Sequence, residues 1–242
     1  MINRYARPNH TASYLTPNLC RAPTLTLCAS FRVFRGRQKY PIVLAHGLFG
    51  FDELRLAGPL LPSVQYWRGV RDALEANDIE VITTAVPPSG SIEERGEKLA
   101  EMIASQAQGK SVNIIAGLDS RYMISQLKPP NVDVKSLTTI ATPHRGSAFA
   151  DYVMEQIGAE NLTKVYGLLR TFRVDTGAFA QLTRKYMQEE FNPKTPDREG
   201  VKYYSYGATL EPERWSSFKQ LHDLVEVLEK APNDGLVRYL SA

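Results

Sequence analysis

Residues 112–125 read VNIIAGLDSRYMIS. A run of β-branched apolar residues passes through a tight bend into a stretch of helix formers. In many hydrolases such a junction exposes the nucleophile for attack on an acyl carbon. Here Ala116 and Gly117 occupy the bend, and neither offers a nucleophilic atom. Ser120 lies further on, inside the helical stretch, where it reads as an ordinary helix residue. The candidate bases are His10, His46, His144 and His222. His10 falls in a basic N-terminal stretch, and His222 in a helical stretch that places it at the surface. PNDGLV (232–237) offers an acid, Asp234, in a composition that also spells a plain Asn-Asp-Gly turn.

The elements that must position these groups alternate along the chain. YPIVLA (40–45) suits a buried strand, followed by the glycine-containing loop HGLFGFD. YWRGVRDALEAND (66–78) sets Trp67, Val70 and Leu74 on one helical face. IEVITTAV (79–86) is strand-like. Ser91 and Glu94 then have capping-box spacing at the head of a helix whose buried stripe is Ile92, Leu99, Met102 and Ile103. SVNIIA (111–116) is a strand, LDSRYMISQL (118–127) a helix ending before Pro129, and SLTTIA (136–141) the next strand. Residues 147–192 read as helical and suit an excursion over the top of the sheet, and VKYYSYG (201–207) returns to strand character. Strands and helices alternating at these lengths predict an α/β fold with a mainly parallel sheet.

Composition narrows the class. A chain of 242 residues, 43% hydrophobic, supports one domain with a sizeable core. Seven of the 29 basic residues precede Asp52, the first of the 26 acidic ones, so the net charge of +3 sits in the N-terminal stretch. The remainder is net acidic, which argues against a nucleic-acid-binding face. Residues 1–38 are Arg-rich, contain Ser and Thr and lack acids, as mitochondrial transit peptides do; a disordered basic tail reads equally well. No apolar run approaches the roughly 18 residues that would span a bilayer. Cys20 and Cys28 are the only cysteines and lie in the same stretch, so no disulfide framework supports the rest.

Nine stretches, in order, carry a resemblance: YPIVLAHGLFGFDEL, YWRG, GSIEER, GLDSRYMISQLKP, LTTIATPHRGSAFADY, DTGAFAQLTRKYM, EEFNPKTPD, YYSYGA and PNDGLV. Together they resemble the triacylglycerol lipases of the α/β-hydrolase superfamily, in particular the fungal mitochondrial-type members, over about residues 38–240. The resemblance implies an α/β-hydrolase fold in a domain spanning 39–242, its mainly parallel sheet flanked by helices, with a helical cap at about 147–192. It implies the backbone N–H of Leu48 as an oxyanion donor, in a loop supported by His46, Gly47, Phe49 and Gly50. It makes Asp234 the acid of a Ser-acid-His triad. The nucleophile does not carry over. Where the family reads Ala-His-Ser-Met-Gly-Gly-Leu-Asp, this chain reads AGLD (116–119), so the serine is missing between Ala116 and Gly117. The base does not carry over either, since the family's histidine segment would fall after Ala242. The elbow and the C-terminal segment are thus incomplete. His144 matches a structural residue of the family. Tyr152, Met154, Ile157, Leu162, Val165, Leu168 and Leu169 line an acyl groove or serve as core contacts of small helices.

The resulting expectation is a carboxylic ester hydrolase of the lipase family, acting by serine acyl transfer to water, whose chain lacks the groups for turnover. A non-catalytic lipid- or partner-binding relative and a truncated or mis-spliced lipase product are the alternatives. The expected partner is an acylglycerol or other lipid ester, with contact to a lipid surface, and no cofactor or metal, since no complete calcium ligand set is legible. The leader implies a mitochondrial location, otherwise a cytoplasmic one. Closing a gap of four residues shifts a helix by about 6 Å at 1.5 Å per residue, which predicts poorer packing at Tyr122, Ile124 and Leu127 and low solubility.

Overall fold

The computed structural model describes residues 39–47, 53–54, 64–67, 69–87, 90–157, 176–209, 211, 219–234 and 237. Strands β1 (Ile42–Ala45), β4 (Val81–Thr84), β5 (Ser111–Ala116), β6 (Asp133–Ile140) and β7 (Lys202–Tyr206) form one sheet in the order β4-β1-β5-β6-β7. Every neighbouring pair in it is parallel. A short antiparallel ladder joins β2 (Glu53–Leu54) to β3 (Val64–Gln65). The α/β reading therefore holds. No described helix is long and apolar enough to cross a membrane.

The sheet order follows from where the apolar runs sit. IVLA in β1 is buried along its whole length, as a central strand covered on both faces must be. In β5 the odd and even positions differ: Val112, Ile114 and Ala116 are buried, while Ser111, Asn113 and Ile115 are half-buried. The buried face packs against α2 (Ile92–Ala107) and α3 (Leu118–Tyr122), with Val43, Leu99, Ile103, Ile114, Met123, Ile124 and Leu137 all at most 1% exposed. Each such side chain contributes about 1.5–3 kcal/mol by leaving water.

Helix α2 starts on the expected capping box: Ser91 Oγ accepts the Glu94 N–H, and the Glu94 carboxylate accepts the Ser91 N–H. Its buried stripe departs from the expected one. Met102 is only half-buried, and Arg95, Gly96, Ala100 and Ala107 join Ile92, Leu99 and Ile103 inside. Small residues win because α2 lies close to its neighbour. A Cβ on Gly96 would stand 3.0 Å from Tyr122 Cδ1 and 3.1 Å from the Asp119 carbonyl. The predicted helix over 66–78 is shorter than its polar-apolar pattern suggests, with α1 spanning only Val70–Glu75 and none of its residues buried.

The helix after β5 also differs from expectation. α3 is α-helical for one turn and a half, then continues as a π-helical turn over Met123–Leu127. Its packing is not degraded: Ile124 is 1% exposed, Leu127 packs on the main core, and Tyr122 packs on a second cluster with Leu118, Met187 and Phe191. The short join between strand and helix is absorbed without emptying those core positions, which corrects the expected loss.

Beyond β6, α4 (Ala148–Ile157), α5 (Thr176–Ala180), α6 (Arg184–Tyr186) and α7 (Asn192–Lys194) are helical; residues 158–175 of the stretch read as helical lie outside the described residues. Helix α8 (Lys219–Glu229) packs on α4.

Candidate active site

Parallel strands deliver ligands to their carboxyl ends. In β1 and β5 those ends are neighbours, with Leu44 paired to Ile115. The bend after β5 is a single residue. Gly117 caps α3 at φ −132° and ψ −144°, with no side-chain cap. Its backbone is not in the left-handed region, and a Cβ there would meet Thr142 Oγ1 at 3.7 Å and Asp119 Oδ1 at 3.8 Å, ordinary contacts. The junction is a relaxed strand-to-helix join. It carries neither a nucleophile nor the strained turn that would expose one.

Ser120 is no substitute. It is 0% exposed in the first turn of α3, and its hydroxyl finds no hydrogen-bond partner among the described residues. The loop after β1 begins with His46, 2% exposed, whose Nδ1 lies 3.1 Å from the Gly47 carbonyl and whose ring faces Tyr66. Leu48, Phe49 and Gly50 lie outside the described residues.

Arg95 of α2 ties together the segments that leave β1, β4 and β5. One guanidinium nitrogen donates to both the His46 carbonyl and Asp119 Oδ2, each at 2.9 Å, and the other terminal nitrogen donates to the Pro87 carbonyl. The Arg95 and Asp119 side chains are 5% and 4% exposed. Asp119 Oδ1 in turn accepts the Ser120 N–H. A second arginine on α3 does the same on the other side. Arg121 donates to Asn192 Oδ1 and the Thr195 carbonyl and bonds His144 Nδ1, while Asn192 donates to the His144 carbonyl. Gln181 accepts the Ile92 N–H and donates to Glu93. Sequence reading passed over Arg95, although its signal was present: it lies on the same helical stripe as Ile92, Leu99 and Ile103.

His144 pairs with a hydroxyl, Nε2 to Thr139 Oγ1 at 2.9 Å, yet the electrostatics are wrong for a base. Burial and the neighbouring Arg121 cation lower its pKa to about 4. A triad histidine needs a carboxylate on its far nitrogen, and here an arginine stands there. His144 is a structural link, as the resemblance implied.

Asp234 is half-buried in its own turn. Its Oδ1 accepts the Val237 N–H at 2.7 Å, and its N–H donates to the Val237 carbonyl. His222, expected at the surface, has a side chain only 16% exposed. Of the groove candidates, Tyr152 and Met154 are half-buried on α4; the Ile157 side chain and Leu162, Val165, Leu168 and Leu169 lie outside the described residues.

The chain matches no protein-family profile. It is 36% identical to triacylglycerol lipase 2 of Saccharomyces cerevisiae over 244 residues, covering 82% of this chain and 73% of that one. It is 30% identical to the triacylglycerol lipase of Vibrio cholerae over 236 residues, 82% of this chain and 72% of that one. The lipase of Bacillus licheniformis in its mature form superposes with a TM-score of 0.66 at 20% identity, over 86% of this chain and 80% of the other. Staphylococcus hyicus lipase gives 0.59 at 17% identity, over 85% and 79%.

Proposed function

Because the chain belongs to the triacylglycerol lipase family of the α/β-hydrolase superfamily, we propose that it presents the lipase scaffold to an acylglycerol or other lipid ester without hydrolysing it. The observation that carries this reading is the β5–α3 junction, where Gly117 alone bridges Ala116 and Leu118. Ester hydrolysis in this fold needs a serine at that bend, a base beside it and two backbone N–H groups facing the oxyanion. Neither Ser120, enclosed in α3, nor the Thr139–His144 pair, held neutral beside Arg121, supplies the first two. Losing a triad removes about 10⁶ of rate and leaves about 10³–10⁴ over water from the rest of the site. Residues 147–192 act as the cap over the bound lipid, and Asp234 stands where the family's acid does.

The test is hydrolysis of p-nitrophenyl butyrate by the purified chain, together with labelling by a fluorophosphonate and mapping of any adduct. The expected result is turnover about 10⁶-fold or more below that of a working lipase, and no labelled serine. Turnover with a label on one serine refutes the proposal. The acid-free basic segment 1–38 supports a mitochondrial location, which a fluorescent fusion of those residues tests.

A second reading is that the coding sequence carries the missing tetrapeptide. It is favoured by the flanks, since β5 pairs with β1 over Asn113–Ile115 and with β6 as far as Ala116, and Asp119 keeps its ion pair across the join. Sequencing the transcript across codons 110–125 decides it: His-Ser-Met-Gly codons there would make the product an ordinary lipase.

A further inference from the structure

Helix α8 gathers three donor groups away from the β5–α3 junction. His222 Nδ1 and one carboxylate oxygen each from Asp223 and Glu226 all lie within 4.8 Å of one another. The His222 Nδ1 is buried and has no hydrogen-bond partner among the described residues. Asp223 Oδ1 stands 3.6 Å away, an ion pair when the imidazole is protonated. That is too long for a hydrogen bond. It is close to the edge of about 3.3–3.5 Å between two ligands of a tetrahedral ion bound at about 2.0–2.1 Å. His222 and Glu226 are four apart and share a helix face. Glu226 also lines an open groove of about 470 Å³ with Lys230, Ala231 and Pro232. A cation already neutralises part of the cluster: Lys219 Nζ holds both Asp223 oxygens, at 3.0 and 2.9 Å.

We propose that His222, Asp223 and Glu226 bind one divalent transition ion of the zinc class. The donor set selects the ion. Calcium takes six to eight oxygens and magnesium an octahedral oxygen shell, whereas an imidazole with carboxylates suits zinc and its neighbours. Three protein ligands leave a fourth position, and the groove beside Glu226 supplies the water that fills it. Lys219 competes for Asp223 and leaves the carboxylate when the ion binds. Four residues separate the helix end at Glu229 from Asp234, so the ion fixes the helix that leads into that turn. The site stands independently of whether the chain hydrolyses esters.

The experiment is calorimetric titration of the metal-stripped full chain with Zn²⁺ alone, paralleled by Co²⁺ absorption. The expected result is one saturable equivalent with the intense visible bands of a four- or five-coordinate Co²⁺. His222→Gln and Glu226→Gln each weaken binding by about tenfold or more, Lys219→Met tightens it, and Glu190→Gln, whose carboxylate pairs with Lys194, leaves it unchanged. Circular dichroism checks that each variant keeps its fold, and Glu226, exposed, carries the test if His222→Gln does not fold. Absence of saturable Zn²⁺ binding, or binding that the ligand variants leave unchanged, overturns the site. Ester turnover plays no part in the readout, so a failure here is distinct from a failure of the proposed function.

Discussion

Replacing Arg95 by Met tests what holds the carboxyl ends of three strands together. In the folded chain the guanidinium satisfies the His46 carbonyl, the Pro87 carbonyl and Asp119 Oδ2, all in a setting where its own side chain is 5% exposed. The variant leaves Asp119, 4% exposed, with the Ser120 N–H as its remaining donor among the bonds described above, and strips two carbonyls of theirs. Removing one member of a buried pair costs about 3–5 kcal/mol, most of it the price of the charge left behind. Asp119→Leu strands the arginine instead and falls in the same range. The double variant removes both charges and takes these bonds from three neutral groups, the His46 and Pro87 carbonyls and the Ser120 N–H, at about 1–3 kcal/mol each at most. Its loss is therefore smaller than the sum of the two single variants, because no charge is left behind in it, and the cycle shows a few kcal/mol of coupling. Urea unfolding followed by tryptophan fluorescence measures this, with Trp67 close to the affected loop. At about 2–4 °C per kcal/mol for a domain of this size, each single variant melts about 10 °C lower. Single variants that each lose less than about 1 kcal/mol, or a double variant whose loss equals their sum, refute the claim that this pair clamps the site.

Other outcomes follow from the same geometry. Ser120→Ala removes a buried, unpaired hydroxyl and stabilises the chain by up to about 1 kcal/mol in a thermal melt; a clear loss would reveal a partner for that oxygen. Gly146 adopts φ +84°, and a Cβ there would stand 2.5 Å from Arg184 Cα, so Gly146→Val lowers the melting temperature by about 2–12 °C, as one to three kcal/mol of backbone strain requires. For His144, the folded pKa of about 4 lies below the ordinary 6.5, so only the unfolded chain takes up its proton between those values. Its contribution is complete above pH 6.5 and is lost as pH falls toward 4, at most about 3 kcal/mol in total. His144→Gln flattens the pH dependence of urea stability across that window, and an unchanged slope would disprove the assignment. Ser91→Ala breaks the capping box of α2 and costs about 1 kcal/mol.

The sheet was legible because apolar alternation and helix caps are local signals, and β1, β4, β5, β6 and β7 fall within a few residues of the expected runs. The buried stripe of α2 was only half legible. Nothing local says that α3 approaches closely enough to exclude Met102 and demand Gly96. The π-helical turn after Tyr122 is likewise a product of fitting the helix to its neighbours, not of its own propensities. At the site, the missing serine was visible because absence within a known order can be read from letters. The burial of His222 was not, since it depends on which side of α8 meets the rest of the chain. The pairing of Arg95 with Asp119 joins residues 24 apart in sequence, and spacing alone does not couple them.

The stretches by which this chain is recognised turn out to be bonded to one another. Arg95 of GSIEER holds the carbonyl of YPIVLAHGLFG and the aspartate of GLDSRY; Arg121 of GLDSRY holds the histidine of TPHRGS and the asparagine of EEFNPKTPD; Gln181 of DTGAFAQL returns to GSIEER. The lettering that announces a lipase is thus written largely in joists and fasteners. None of these ties depends on a nucleophile at the β5–α3 bend. Likeness in those stretches measures the frame's survival, and activity has to be judged at the one bend they surround.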